Sequence, residues 1–125
     1  MRSSRAALDR LLRPSELLVV SSDLSHFLPY DTAGCVDRET LATILALDDR
    51  LDGERACGYK GIQAAIRCAR RLDQRAVLID YRSSGDTGGD KRSVIGYGSL
   101  ARSGAAVRLD RRLGWERPPR CRNRP

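Results

Sequence analysis

His26 is the only histidine of the chain. It closes the run Ser21-Ser22-Asp23-Leu24-Ser25-His26, directly after the apolar stretch Leu17-Leu18-Val19-Val20. An apolar, partly β-branched run that gives way to small and acidic residues reads as a buried strand ending in a loop. In α/β proteins such loops carry ligands and reacting groups. The one side chain that titrates near neutral pH therefore falls where chemistry is usually done. Asp23 lies three residues before it, so a carboxylate and an imidazole could serve as an acid–base pair or as ligands. The same spacing also fits a turn capped by Asp23 and Ser25 beside a hydrogen-bonded structural histidine.

Cys57 is the second candidate. It precedes Gly58 at an expected helix start, where a thiol becomes a better nucleophile and metal ligand. The plain alternative is a small buried residue in a tight turn. Cys68 falls mid-helix among apolar residues and reads as core, while Cys35 fits core or boundary. No two of the four cysteines are spaced C-x-x-C, which excludes a zinc ribbon or a thioredoxin motif. A metal site needs three or four ligands. Asp23, His26 and Cys57 supply three only if all converge. One copy of a chain with one histidine cannot build a two-histidine, one-carboxylate site. The loop from Ser83 to Asp90 lacks the alternating acids of a calcium loop and the Gly-Lys-Ser/Thr of a phosphate loop, so it reads as a turn.

These residues need elements to hold them. Residues 5–12 read as a short helix ending at Pro14, and 16–22 as a buried strand. A loop follows over 23–30. Asp31 or Thr32 can cap a helix with apolar positions at Val36, Leu41, Ile44, Leu45 and Leu47. A second helix is expected over 60–72, with Ile62, Ala65, Ile66, Ala69 and Leu72 at helical spacing. Residues 75–81 and 93–100 read as strands, the latter softened by Gly96 and Gly98. The order α-β-α-α-β-β predicts an α/β sheet with helices packed on it. Three strands are few for such a sheet, so the domain is expected to be incomplete.

The 125 residues suffice for one small domain, with 41% hydrophobic and 31% charged residues. The net charge of +7 is uneven. Residues 101–125 hold eight Arg against Asp110 and Glu116, whereas fifteen basic and fourteen acidic groups balance over 1–100. A basic tail can neutralise phosphates. With no aromatic interleaving and no nucleic-acid motif, nucleic acid is not the expected partner. The expected division is a domain over 1–102 and a disordered Arg/Pro-rich tail over 103–125. No apolar leader and no transmembrane stretch is visible, so a reduced, cytoplasmic protein is the default.

Four segments together resemble one family. Val19-Val20-Ser21-Ser22-Asp23-Leu24-Ser25-His26-Phe27-Leu28-Pro29-Tyr30-Asp31 looks like the signature of the Memo-like family, known in prokaryotes as AmmeMemoRadiSam system protein B. Asp37-Arg38-Glu39-Thr40-Leu41 resembles its following helix. Ala56-Cys57-Gly58 with Ile62 resembles its Cys-Gly turn and helix. Asp80 to Asp90 with Val94-Ile95-Gly96-Tyr97 resembles its closing strand–loop–strand. The resemblance covers the C-terminal half of the family domain. It implies part of a three-layer sheet flanked by helices, similar to class III extradiol dioxygenases. It also implies that Cys57 is a metal ligand, for iron or copper, and that Asp23 and His26 are pocket residues exchanging protons with a ligand. The family's two histidine ligands come from its N-terminal half, so the expectation is a fragment with half a metal pocket, inactive alone. Radical-SAM and AMMECR-type proteins are the implied partners, and a homodimer could complete the sheet edge. The rival reading is a non-catalytic module that binds a peptide or protein in the same pocket.

Overall fold

The computed structural model describes residues 20–103. Their elements are β1 (His26–Leu28), α1 (Tyr30–Leu45), α2 (Tyr59–Arg71), β2 (Arg75–Ser83), a 3-10 turn (Ser84–Thr87) and β3 (Val94–Ser103). The sheet is antiparallel, in the order β1-β3-β2. The helix expected over 5–12 and the tail over 103–125 lie outside the described residues, apart from Ser103, which ends β3.

Both long helices form where the apolar spacing predicts them, and their ends differ. Pro29, and neither Asp31 nor Thr32, is the N-cap of α1. The Pro29 carbonyl accepts the Ala33 N–H at 2.8 Å, so the first turn closes without a side-chain cap. Asp31 falls inside that turn, where a carboxylate opposes the positive end of the helix dipole. Leu47 lies two residues beyond α1 with φ 54°, a left-handed conformation that ends the helix.

The expected loop over 23–30 contains a strand. Residues 20–25 have no regular secondary structure, and the ladder begins at His26. The strand expected over 16–22 is therefore absent over 20–22, and its remainder is outside the described residues. Leu24 N–H donates to the Gly96 carbonyl at 2.9 Å, and Gly96 N–H donates to the Ser25 carbonyl at 3.1 Å. The register shifts between His26 and Leu28, leaving Phe27 exposed at φ 60°. A second bulge, between Leu78 and Asp80 on β2, leaves Ile79 unpaired.

The core lies on one face of the sheet. Leu24, Leu41, Ala56 and Leu78 form a buried cluster with Tyr59, Ile62, Tyr81 and Leu100 packed against it. Ile44, Leu51 and Ile66 extend it between the helices. Val94, Gly96, Gly98 and Leu100 alternate with exposed Tyr97, Ser99 and Ala101, the period of a half-covered strand. Both helices thus sit on one face, giving two layers among the described residues where three were expected. Cys68 is buried, as anticipated. Cys35 is half-buried on α1.

Candidate metal centre

The three candidate side chains meet at the end of β1. A ligand atom from each of Asp23, His26 and Cys57 lies within 4.8 Å of the others. Asp23 and His26 arrive from one segment, with Asp23 Oδ2 3.4 Å from His26 Nε2. Both are partly accessible, at 44% and 28% side-chain exposure, so solvent or a ligand reaches them. The His26 and Phe27 rings lie 5.8 Å apart and tilted, so Phe27 borders the imidazole.

Cys57 comes from the other side of the fold. Gly58 is the N-cap of α2, which places the exposed Cys57 thiol one residue before the cap. The connection leading to it is held at several points. Asp52 accepts the Glu54 and Arg55 amides at 3.0 and 3.1 Å. Gln63 Nε2 donates to the Asp49 carbonyl at 2.8 Å, and Arg67 pairs with Asp49 at 2.8 Å. Arg55 reaches Glu39 on α1 at 3.6 Å. Ser22 joins the two halves of the site. Its hydroxyl accepts the Gly58 N–H at 2.9 Å and donates to the Asp23 carbonyl at 2.7 Å. A Cβ on residue 58 would lie 2.8 Å from the Ser21 carbonyl and the Ser22 Cβ, so only glycine permits this approach. The thiol itself lies 3.9 Å from the Asp23 carbonyl and 3.8 Å from Ser22 Oγ.

One nitrogen, one oxygen and one sulfur donor form a set suited to a first-row transition metal. With bonds of about 2.0–2.3 Å, two ligand atoms on one tetrahedral metal lie about 3.3–3.8 Å apart. The 4.8 Å span is thus about 1 Å wider, so the side chains must rotate inward to take up a metal. Three protein donors would leave a coordination position open, the pattern of a reactive site.

Behind the site lies a group that sequence reasoning did not single out. Asp37, on α1, is fully buried. Its Oδ1 accepts the Ser25 N–H at 2.9 Å and its Oδ2 accepts the Tyr81 hydroxyl at 2.6 Å. Burial pushes the Asp37 carboxyl above its usual range, against the opposing pull of the Tyr81 hydroxyl and the Ser25 amide. Burial, then the hydrogen bond to Asp37, raises the Tyr81 phenol well above its ordinary value. The available signal was spacing: Ala33, Asp37, Thr40, Leu41 and Ile44 share one buried helix face. A second tie holds the loop after β2, where the Tyr30 hydroxyl donates to Asp86 and Lys91 lies 5.0 Å over the Tyr30 ring.

Residues 4–101 match the family model described as Memo-like protein. A MEMO1 family protein of Methanosarcina mazei is 36% identical over 92 aligned positions, covering 67% of this chain and 34% of that protein. One from Saccharolobus solfataricus is 33% identical, covering 65% and 31%. One from Sulfolobus acidocaldarius is 35% identical, covering 67% and 32%. The chain belongs to the Memo-like family. It spans about a third of the length of these curated relatives.

Proposed function

We propose that the chain supplies one part of a Memo-like metal pocket. Cys57 holds iron or copper, and Asp23 and His26 orient or exchange protons with a bound ligand. The observation that carries this reading is the convergence of the three side chains from two separate segments of the fold. Such a metal would supply Lewis-acid or redox chemistry at the open position. His26 Nε2 and Asp23 Oδ2 lie close enough for a proton to pass between them through a small shift or a bridging water. Ser22 holds the thiol's backbone against the Asp23 segment, and Phe27 borders the imidazole.

The family resemblance extends the proposal. In a complete member, two histidines from the remaining part of the domain would join Cys57, on a fold like that of the class III extradiol dioxygenases. By itself the chain would then lack activity, with radical-SAM and AMMECR-type proteins as its partners. The test is a cobalt(II) titration of the 125-residue chain. The parent protein should develop a thiolate-to-metal absorption band, and Cys57→Ser should lose it. An unchanged band after that substitution removes Cys57 as the ligand.

One observation favours the rival reading, a module that binds a peptide or protein. Phe27 is 74% exposed beside His26, an apolar contact offered to a partner. Partner binding that survives Cys57→Ala and fails with Phe27→Ala would favour it.

A further inference from the structure

Asp37 is a charged residue in a place where packing calls for an apolar one. Its neighbours on the buried face of α1 are Ala33, Thr40, Leu41 and Ile44. Burying a carboxylate is costly unless its oxygens are hydrogen-bonded, and its bonds show what it holds. One oxygen takes the Tyr81 hydroxyl from β2, and the other takes the backbone N–H of Ser25. β3 grips the same short segment from its own side, through Leu24 N–H to the Gly96 carbonyl and Gly96 N–H to the Ser25 carbonyl. The peptide groups of Leu24 and Ser25 are thus fixed between β3 and α1. Asp23 immediately precedes this anchored pair, and His26 immediately follows it.

We propose that Asp37 is a positioning residue for the metal centre. By accepting the Ser25 amide it fixes the Asp23–His26 segment so that both side chains face Cys57. The proposal rests on the metal reading above, and it makes the hydrogen-bond acceptor at position 37, not its charge, the determinant. Asparagine keeps an acceptor of the same shape and loses the charge. Leucine loses both while filling similar space.

The experiment compares Asp37→Asn and Asp37→Leu with the parent, all as the full 125-residue chain. Asp37→Val is measured alongside, so that a folding defect in one apolar variant does not silence the test. Two readouts are taken: cobalt(II) affinity with its thiolate band, and hydrogen exchange of the Ser25 amide without metal. The asparagine variant should bind cobalt within about threefold of the parent, with an unchanged band and a protected Ser25 amide. The apolar variants should bind about tenfold or more weakly, the range for groups that orient metal ligands, with an altered band and a fast-exchanging Ser25 amide. Equal behaviour of asparagine and apolar variants overturns the proposal, whether both are impaired or both match the parent. If the parent chain binds no cobalt, Asp23, His26 and Cys57 do not form a metal site by themselves. The exchange comparison then still decides whether Asp37 holds the segment, and equal Ser25 exchange in all variants overturns it.

Discussion

At the scale of single residues, Asp37 gives the chain a pH signature. Its folded carboxyl sits above the unfolded range because burial outweighs its hydrogen bonds. The unfolded chain therefore ionises first as pH rises, and Asp37 lowers stability progressively from about pH 4 upward until its folded group also ionises. Asp48, Asp49, Asp86 and Asp90 act in the opposite direction, since hydrogen bonds hold them below their usual range. These groups are common to the parent and Asp37→Asn, so their effects cancel in the difference. The expected result is a stability gap that moves in favour of Asp37→Asn between pH 3.5 and pH 7, measured by urea unfolding. A gap moving in favour of the parent over that interval would show that the folded carboxyl lies low instead. Loss of the charge at position 37 thus separates stability from site geometry: the stability gap should shift with pH while cobalt binding stays within about threefold of the parent.

Among the elements, Gly96 illustrates why a strand cannot be judged by propensity alone. In sequence it reads as a residue that softens β3. In the fold it is the gap that admits Asp37, because a Cβ at this position would collide with the Asp37 carboxylate. Gly96→Ala should therefore cost about 2 kcal/mol, as overpacked cores do, and speed exchange of the Ser25 amide. A change below about 0.5 kcal/mol in urea unfolding would mean that the carboxylate moves aside freely. The same comparison shows what the sequence can and cannot reveal. α1, α2, β2 and β3 were legible because each has an apolar period of its own, and Cys57 was legible as the residue before a helix. β1 was not, since three residues carry no period and their pairing with Val94 and Ile95 is long-range. Asp37 was missed because an acidic residue on a helix reads as solvent-facing unless its partners from distant strands are known. The meeting of Asp23, His26 and Cys57 needed the Ser22–Gly58 contact, which joins positions 36 residues apart.

Taken whole, the described part of the molecule is a sheet with helices on one face, from a chain whose match spans about a third of its relatives' length. On the opposite face Ile79 and Tyr97 are exposed. Among the described residues no helix is long and apolar enough to cross a membrane. Among them, too, β2 is an outer strand, paired along one side only. Among the described residues no strand pairs with the outer side of this nine-residue strand, which includes Val, Leu, Ile and Tyr, and such an edge can template further chains. The bulge at Ile79 interrupts that edge near its middle, and the exposed Asp80–Arg82 pair at 3.0 Å places charge beside it. Replacing Asp80 and Arg82 together by Thr, a residue suited to strands, should lower the concentration at which the protein precipitates, with little change in its unfolding midpoint. Sedimentation velocity across a concentration series would show the difference as growth of high-mass species in the double variant alone. The kink in β2 and the charged pair beside it are thus expected to guard solubility, keeping an open sheet from becoming the first layer of a fibre.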